Sequence, residues 1–388
     1  MAQSLHYGHM QISIPGFSLG IIGGGQLGRM MAIEARKLGI LTVILDPAER
    51  PPAAGLADEL IRGSLHDATV LQALAQKVDV VTYEIEHLNI QALLELEADG
   101  IVIRPRPALL EIIQDKLRQK QRFLASNLPT PRFWTDQPKT LPIVQKLRTG
   151  GYDGRGVKVL RSANDPVLAG ASLFEELITI KMELAVLLAR GTTGEIMVYP
   201  VTEMVFDPSS QICNSVAAPA RIPAEIAQQA VDIAVRAITS LDGVGLFAVE
   251  LFWSADNRLL INEIAPRPHN SGHWTIEGAA TNQFEQHIRA VCGLPLGSVE
   301  LLSPAVMVNI LGTPQAFGQP RIHGLAETLA LPGVKFHWYQ KSTVQPLRKM
   351  GHVTVTNPDL ETALTMAEKI QATISVTGDK EPTNGQSK

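Results

Sequence analysis

Apolar and polar positions along the first part of the chain alternate between the strand period and the helix period. An apolar run at 18–22 is followed by a glycine cluster and then by apolar residues at helical spacing, up to Gly39. Further apolar runs at 40–45 and 78–82 predict two more strands. Strands that alternate with helices predict a parallel, doubly wound α/β sheet over residues 18–110.

The same pattern predicts strands and helices in the rest of the chain. Prolines at 105, 107, 129 and 131 bracket a helical stretch, and another helix is predicted at about 224–240. Strands are predicted at 141–146, 157–160, 172–177, 182–188, 195–201, 245–253 and 258–264. The polar sequence after Val376, T-G-D-K-E-P-T-N-G-Q-S-K, predicts a disordered tail.

Composition narrows the class of protein. The chain has 388 residues, of which 45% are hydrophobic and 19% charged, and its formal net charge is −4. So weak a charge, without a basic block, argues against a protein that binds nucleic acid by neutralising phosphates. No apolar run approaches the roughly 18 residues of a membrane span, and the N-terminus lacks the pattern of a secretory signal. Two cysteines, Cys213 and Cys292, are expected to be reduced thiols in a cytoplasmic protein.

The glycine cluster at 23–28, G-G-G-Q-L-G, fits the pattern G-x-G-x-x-G between a strand and a helix. Asp46 follows about 20 residues later, where a dinucleotide-binding fold places its ribose-binding acid. One hypothesis is therefore an NAD-dependent oxidoreductase. Because glycines and a helix N-terminus suit any phosphate, a different phosphorylated ligand remains open, as does a purely structural turn.

A predicted hairpin brings two carboxylates together. Two apolar strands flank Asp256-Asn257, which predicts a two-residue turn. That register places Glu250 opposite Glu263, with Cβ atoms roughly 4.5–5.5 Å apart. Like charges at this distance are destabilising unless one carboxyl is protonated or a cation lies between them, and Mg²⁺ shared with a nucleotide phosphate is the common case. The alternative is that both carboxylates lie on the solvent face of a sheet. Asn262 joins the pair only if a twist or a bulge turns it inward.

A second glycine-rich loop, R-T-G-G-Y-D-G-R-G, lies between two predicted strands at 148–156. It lacks the Gly-Lys-Ser/Thr end of a Walker A loop. Its Tyr, Asp and Arg are also unusual in a flexible linker, which would be rich in Ser and Gly. The loop is therefore a candidate for holding a ligand.

Four motifs together resemble one family. They are G-G-G-Q-L-G-R-M, R-T-G-G-Y-D-G-R-G, N-E-I-A-P-R-P-H-N-S-G-H-W-T and, at 348–352, R-K-M-G-H. In this order they are similar to the 5-(carboxyamino)imidazole ribonucleotide synthases of the ATP-grasp superfamily, from about Gly20 to Ile374. The resemblance implies an α/β ATP-grasp fold. Its parts are an N-terminal extension (1–17), a Rossmann-like pre-ATP-grasp domain with a doubly wound parallel sheet (18–110), a central lid domain (111–200), a C-terminal domain (201–376) and a disordered tail (377–388).

The resemblance also implies the reaction. ATP phosphorylates bicarbonate to carboxyphosphate, and the amine of 5-aminoimidazole ribonucleotide captures the CO₂ that carboxyphosphate releases. ADP and phosphate are the other products, and the step belongs to purine (IMP) biosynthesis. Such a ligase uses ATP and Mg²⁺, acts on small molecules in the cytoplasm without nucleic acid or membrane, and is commonly a homodimer.

Carried over residue by residue, the resemblance implies an ATP site in the middle of the chain. Lys116 and Lys146 are expected to bind the ATP phosphates, and Glu183 is expected to bind the ribose. Glu250 and Glu263 are expected to bind magnesium, with Asn262 beside the metal. The loop that closes over the nucleotide contains Gly151, Tyr152, Asp153, Gly154, Arg155 and Gly156. Tyr152 and Arg155 are expected to line the bicarbonate or CO₂ pocket. The adenine is expected against the backbone of Glu175, Glu176, Leu177 and Ile178.

A second group of residues is implied around the ribonucleotide. The expected substrate contacts are Gly25, Gln26, Leu27, Glu84, Arg267, Asn270, Ser271, His273, Arg348 and Lys349. Catalytic roles are expected for Glu84, His273 and Lys349, as for Tyr152 and Arg155. Glu84 is expected to bind the substrate amine or to assist proton transfer.

Two other functions remain open. The formate-dependent glycinamide ribonucleotide transformylase is also an ATP-grasp enzyme, but it tends to carry aspartate-threonine-glycine after its proline-histidine pair. This chain has Asn270-Ser271-Gly272 there. A non-enzymatic regulator that binds nucleotide is disfavoured by the two glutamates and the lysine.

Overall fold

The structure is a computed structural model that describes residues 16–151 and 155–380. Its first elements are β1 (Ser18–Ile22), α1 (Gln26–Lys37), β2 (Leu41–Asp46), β3 (Glu59–Arg62), α2 (Ala68–Ala75), β4 (Val80–Tyr83) and α3 (Ile90–Ala98). The strands are parallel, in the order β3-β2-β1-β4. Ile21 packs in the cluster that contains α1, whereas Ile22 packs with α2 and α3. Both faces of the sheet are therefore covered, which confirms the predicted doubly wound domain.

A small antiparallel sheet follows two short helices. The elements are α4 (Pro107–Gln114), α5 (Lys116–Ala125), β5 (Phe133–Trp134), β6 (Ile143–Leu147), β7 (Val157–Leu160) and β8 (Ser172–Glu176). The sheet has the order β5-β8-β6-β7. Asp115 separates the helices and caps the second, because its carboxylate accepts hydrogen bonds from the N–H groups of Leu117 (2.9 Å) and Arg118 (3.4 Å).

The large sheet is antiparallel and contains most of the remaining strands. The first of these elements are β9 (Ile180–Arg190), β10 (Ile196–Val198), β11 (Thr202–Phe206), β12 (Cys213–Ala218), α6 (Ala224–Leu241), β13 (Gly245–Ser254), β14 (Leu259–Ala265), a 3₁₀ helix (Asn270–Gly272), α7 (Thr275–Gly278), α8 (Gln283–Cys292) and β15 (Ala305–Leu311). The last are β16 (Phe317–His323), α9 (Leu325–Leu329), β17 (Val334–Trp338), β18 (Lys349–Thr356), α10 (Leu360–Thr373) and β19 (Ser375–Lys380). The order is β14-β13-β9-β11-β12-β15-β18-β17, and β10 pairs with β9. Among the described residues, no helix has the length and apolar character to cross a membrane.

Strand β9 lies inside the large sheet and is buried on both faces. Val186 packs in the cluster that contains α6, and Leu187 packs in the cluster that contains Trp274. The lid domain predicted for 111–200 therefore ends too late, because β9 pairs with β13 rather than with the small sheet. An apolar strand pattern does not tell which of two sheets a strand joins.

The hairpin of β13 and β14 pairs Glu250 with Glu263, as predicted. The predicted two-residue turn is wrong. The N–H of Ser254 donates to the carbonyl oxygen of Arg258 (2.9 Å), so the turn contains the three residues between them. Asn257 closes it with a φ of 63°, a left-handed conformation that asparagine tolerates.

A β-bulge restores the register beyond this turn. Leu251 pairs with Ile261, but the next pair is Glu250 with Glu263, so Asn262 is an extra residue in β14. The longer turn and the bulge compensate for each other, and the two carboxylates remain directly opposite. The bulge also brings Asn262 into the carboxylate cluster, as the alternative geometry required.

The predicted disordered tail is wrong for residues 377–380. These residues extend β19, which pairs with β16. The hydroxyl of Thr377 lies 2.8 Å from Nε2 of His323, and the N–H of Gln319 donates to Asp379 (2.7 Å). Backbone pairing at a sheet edge does not require apolar side chains, so composition misses it. Residues 381–388 lie outside the described residues.

Candidate active site

Four side chains from three elements meet at the bulge. Glu250 on β13 faces Glu263 on β14, and the ammonium of Lys116 on α5 bonds with Glu263. The amide nitrogen of Asn262 lies 3.3 Å from Glu250. Burial, and then the charge of Glu263, raise the pKa of Glu250, whereas Lys116 lowers the pKa of Glu263. The pair therefore holds fewer than two negative charges at neutral pH unless a cation joins it.

A second ionic cluster lies next to the first. The ammonium of Lys146 on β6 lies 2.9 Å from Glu175 and 2.8 Å from the amide oxygen of Asn262. The opposite oxygen of Glu175 lies 3.2 Å from Lys120, whose side chain is 2% exposed. Burial lowers the pKa of Lys120 to about 8. Burial alone would raise the pKa of Glu175, but Lys146 and Lys120 lower it.

Sequence reasoning missed Lys120. It lies four residues after Lys116 on α5, and residues at this spacing share one face of a helix. That spacing is the signal that could have found it. Lys120 also donates to the hydroxyl of Thr130 (2.7 Å) and to the carbonyl of Ile261 (3.2 Å), so α5 is fixed against β14.

The glycine-rich loop joins β6 to β7. Tyr152, Asp153 and Gly154 lie outside the described residues, whereas Gly151, Arg155 and Gly156 are described.

The base of this loop is fastened to α5. The guanidinium of Arg148 forms an ion pair with Asp115, the residue that caps α5. The N–H of Lys116 also donates to the carbonyl oxygen of Arg148 (2.9 Å). On the other side of the loop, Gly156 accepts from the N–H of Leu147 (2.8 Å). The loop and the Lys116 ammonium are therefore positioned by the same contacts.

The predicted adenine hinge, 175–178, begins in the last residues of β8 and continues past the end of that strand. Glu175 points inward to the lysines, while Glu176 points to the surface and lies 3.2 Å from Arg258. Leu177 is 36% exposed and Ile178 is buried.

Glu183 lies on β9, beside β13. It is paired across the sheet with Phe252. Burial raises the pKa of Glu183 to about 7, and its charge contributes to raising the pKa of Glu250. Glu183 is therefore close enough to act electrostatically on Glu250, one of the two metal-ligand candidates.

The N-terminal glycine loop has its own carboxylates. The carboxylate of Glu84 accepts hydrogen bonds from the N–H groups of Gly25 and Gly28 at the start of α1. Asp46 accepts from the N–H of Gly24 (2.8 Å). A dinucleotide would need these donors and the acid for its pyrophosphate and ribose. Their internal use argues against the oxidoreductase hypothesis.

Two further candidates lie at the first turn of α1. Gln26 is partly exposed, whereas the Leu27 side chain is buried in the core. A ligand at this turn would therefore meet Leu27 only through its backbone.

The polar segment at 266–273, after β14, contacts two separate carboxylates. Arg267 forms an ion pair with Glu86 (2.9 Å), and Nε2 of His269 lies 3.4 Å from Glu250. The charge of Arg267 also acts on Glu84, whose pKa burial raises. His269 was not among the predicted site residues, although it stands in the motif that carries the resemblance.

Three predicted substrate residues of this segment have protein partners. The amides of Asn270 and Asn309 bond reciprocally at 2.9 and 2.7 Å. Ser271 is buried, and its hydroxyl lies 2.9 Å from Nδ1 of His269. His273 is 0% exposed. Ser271 and His273 therefore both point inward in this structure, where the 3₁₀ helix follows β14.

The remaining candidates, Arg348 and Lys349, lie at the start of β18. Arg348 donates to the carbonyl (2.8 Å) and hydroxyl (2.9 Å) of Thr343. Burial, and then the charges of His269 and Lys349, lower the pKa of His273. Lys349 is thus electrostatically coupled to the polar segment, whereas Arg348 bonds to its own loop.

The chemistry of this cleft suits a phosphorylated ligand with a divalent cation. Within 16–151 and 155–380, no group of three or more His, Cys, Asp or Glu side chains has the geometry to hold a metal alone. Mg²⁺, however, usually binds one or two carboxylates together with substrate phosphates. Glu250 and Glu263 fit that requirement, since they already share the positive charge of Lys116.

Three domain families match the chain. Residues 17–114 match the ribonucleotide synthetase preATP-grasp domain, residues 127–284 the ATP-grasp domain, and residues 305–366 the phosphoribosylaminoimidazole carboxylase C-terminal domain. Their order is that of the units described above.

Relatives of known name match along nearly the whole chain. An N5-carboxyaminoimidazole ribonucleotide synthase of Synechococcus elongatus is 40% identical over 358 residues, which cover 87% of this chain and 89% of that protein. The crystal structure of N5-carboxyaminoimidazole ribonucleotide synthetase from Thermotoga maritima is 43% identical, with a TM-score of 0.88, and the match covers 94% of this chain and 100% of that one. An Aspergillus clavatus structure in complex with ADP and 5-aminoimidazole ribonucleotide is 34% identical, with a TM-score of 0.83, over 92% and 98% of the two chains.

Proposed function

The chain belongs to the N5-carboxyaminoimidazole ribonucleotide synthase family, and we propose that it carboxylates 5-aminoimidazole ribonucleotide with ATP and bicarbonate. The observation that carries this proposal is the cluster of charged side chains. Lys116 bonds with Glu263, Lys146 bonds with Asn262 beside Glu250, and Arg267 of the polar segment at 266–273 forms an ion pair with Glu86.

In this proposal the two lysines bind the phosphates of ATP. On nucleotide binding, Lys116 exchanges Glu263 for phosphate oxygens, and Glu263 becomes available to a cation. Glu250 and Glu263 would hold Mg²⁺, which would supply positive charge to the phosphates during transfer. Glu183, on the neighbouring strand, receives the ribose hydroxyls, and the backbone at 175–178 binds the adenine edge.

The reaction then proceeds in three steps. A bicarbonate oxygen attacks the γ-phosphorus, and ADP leaves, which gives carboxyphosphate. Carboxyphosphate breaks down to CO₂ and phosphate, and the exocyclic amine of the ribonucleotide attacks the CO₂ carbon and loses one proton. The loop at 148–156, with Tyr152 and Arg155, covers the site and excludes water from the labile intermediate.

The polar segment and the first glycine loop receive the ribonucleotide. Arg267 and Lys349 contribute positive charge near an anionic substrate. Glu84 holds the glycine loop and lies at the carboxyl end of β4, where ligands of parallel sheets gather. The same proposal includes a cytoplasmic location and a homodimer.

Phosphate release from Mg·ATP tests the function directly. It is measured with bicarbonate, in the presence and absence of 5-aminoimidazole ribonucleotide. We expect release that rises with the ribonucleotide and requires bicarbonate. Release that instead requires formate and glycinamide ribonucleotide would assign the chain to the transformylase reaction. No release under either condition would contradict both ligase assignments.

A further inference from the structure

The segment 270–278 crosses three neighbouring strands and makes one side-chain contact with each. Asn270 bonds with Asn309 on β15, the ring of His273 lies against His352 on β18, and Glu277 bonds with His337 on β17. Residues 309, 352 and 337 are cross-strand partners in the sheet. The spacing of three and four residues in the segment matches the spacing of the strands. We call these three pairs the polar row.

The centre of the polar row is a stack of imidazole rings. The ring centroids of His273 and His352 are 4.8 Å apart, and those of His352 and His337 are 4.4 Å apart with planes 14° from parallel. The hydroxyl of Tyr339 lies 2.8 Å from Nδ1 of His352. Burial raises the pKa of Tyr339, so its hydroxyl stays protonated and forms this bond as a neutral group.

Hydrogen bonds fix the site of protonation in the buried ring of His273. The N–H of His269 donates to the amide oxygen of Gln283, so the amide nitrogen of Gln283 is a donor. That nitrogen lies 2.8 Å from Nδ1 of His273, which must therefore accept. The hydroxyl of Tyr339 is the partner of Nδ1 of His352. Burial lowers the pKa of both histidines, so each is neutral, and His273 carries its proton on Nε2.

The polar row links two parts of the candidate site, one at Glu250 and one at Lys349. The segment it holds begins beside His269, which lies 3.4 Å from Glu250. The strand that carries His352 begins at Lys349, whose charge acts on His273. Within the described residues, Nε2 of His273 and Nε2 of His352 are buried without a hydrogen-bond partner. Only packing and the Nδ1 bonds therefore hold these rings.

We propose that His352 is a positioning residue for the ribonucleotide half of the site. Tyr339 fixes the ring of His352, and this ring holds His273 and the 269–274 segment in place beside Lys349. The kinetic effect expected from this proposal rests on the proposed function, whereas the expected effect on the position of the segment does not.

Tyr339→Phe removes one hydroxyl and keeps the volume of the ring. We expect the KM for 5-aminoimidazole ribonucleotide to rise about fivefold or more, the factor that corresponds to one ordinary hydrogen bond. The KM for Mg·ATP is expected to stay unchanged. His352→Phe should have a larger effect in the same direction, and His352→Asn, which retains an acceptor near Nδ1, a smaller one.

Tyr199→Phe is the matched control. Tyr199 is equally buried, its hydroxyl donates to the carbonyl of Thr281 at 2.8 Å, and its ring packs edge-on against Trp274. It lies outside the polar row, so its loss should lower thermal stability without changing the KM for the ribonucleotide. An equal rise of that KM in both tyrosine variants, or none in either, would overturn the proposal.

Crystal structures of the wild type and of His352→Phe test the positioning without any assay. A displaced 269–274 segment supports the proposal, and an unmoved His273 ring contradicts it. If the wild type shows no ribonucleotide-dependent phosphate release, the proposed function fails, and the structural comparison still decides the role of His352.

Discussion

The two halves of the candidate site are held together in opposite ways. In the nucleotide half, ionised side chains from different elements pair with one another, such as Lys116 with Glu263 and Lys146 with Glu175. In the ribonucleotide half, apart from the ion pair of Arg267 with Glu86, buried neutral amides and imidazoles form hydrogen bonds and stack, as between Asn270 and Asn309.

This difference indicates which half rearranges. An ion pair can separate when each member receives a new partner, a phosphate for the lysine and a metal for the carboxylate. A buried neutral network has no such exchange, because every broken bond leaves a polar group without a partner. We therefore expect the nucleotide half to change on binding and the ribonucleotide half to be largely preformed.

The largest expected effect comes from the nucleotide half. Glu263→Gln removes one metal-ligand candidate and the acid partner of Lys116. We expect kcat/KM for Mg·ATP to fall by more than about 100-fold, since even the outer partners of a metal are worth about 10- to 100-fold. Phosphate release measures the loss. Glu59→Gln, at an exposed ion pair with Lys77, serves as the control and should retain activity. Full activity in Glu263→Gln would remove the metal assignment.

The stability of the buried ion pairs gives the next effect. Lys120→Met removes one of the two lysines that pair with Glu175, and the Glu175 side chain is only 2% exposed. Breaking a buried pair in this way should destabilise the fold by about 3–5 kcal/mol. Lys77→Met, which breaks a surface pair, should cost no more than about 1 kcal/mol. Thermal unfolding compares the two, and equal midpoints would show that the charged half is not held by its buried ions.

Acid should lower the stability of the fold through its buried neutral histidines. Burial lowers the pKa of His273, His287 and His352, to about 3 for His287. Below pH 6.5 the unfolded chain takes up protons that the folded chain refuses, so stability falls with falling pH, by about 1.4 kcal/mol per pH unit for each such histidine. His287 accepts a bond from the N–H of Leu246 (3.1 Å) and lies 2.8 Å from the hydroxyl of Thr82.

His287→Asn isolates this contribution. Asparagine can still accept the bond from Leu246 but does not titrate, so the midpoint should depend less steeply on pH between 7 and 5. An unchanged slope would mean that His287 is protonated in the folded protein. The histidine lies on α8, outside the candidate site, which keeps the measurement separate from activity.

The paired carboxylates were predictable, but for a reason that was partly wrong. A two-residue turn without a bulge and a three-residue turn with a bulge give the same partner for Glu250. The pattern of apolar positions constrains the strands, whereas the local turn depends on Asn257 adopting a left-handed conformation. The sequence pattern therefore predicted the pair and not the geometry that brings Asn262 to it.

Other site residues were not predictable because their environment is tertiary. The spacing of Lys120 from Lys116 indicates a shared helix face, but a lysine is usually at the surface, and only packing against β14 shows that Lys120 is buried. His352 stands in the quoted motif R-K-M-G-H, but its contact with His273 depends on how β18 lies beneath the segment. The inward turn of His273 likewise depends on the 3₁₀ helix, which has no periodic signal.

The bulge at Asn262 makes the length of the hairpin a constraint on sequence change. Between Glu250 and Glu263 the chain can move one residue between turn and strand, but the total must stay the same for the two carboxylates to meet. A single deletion between the two glutamates would therefore break this match. A single insertion elsewhere in the hairpin would place a different side chain opposite Glu250. Insertions and deletions in this hairpin should accordingly occur in compensating pairs, in natural variants and in engineered ones alike.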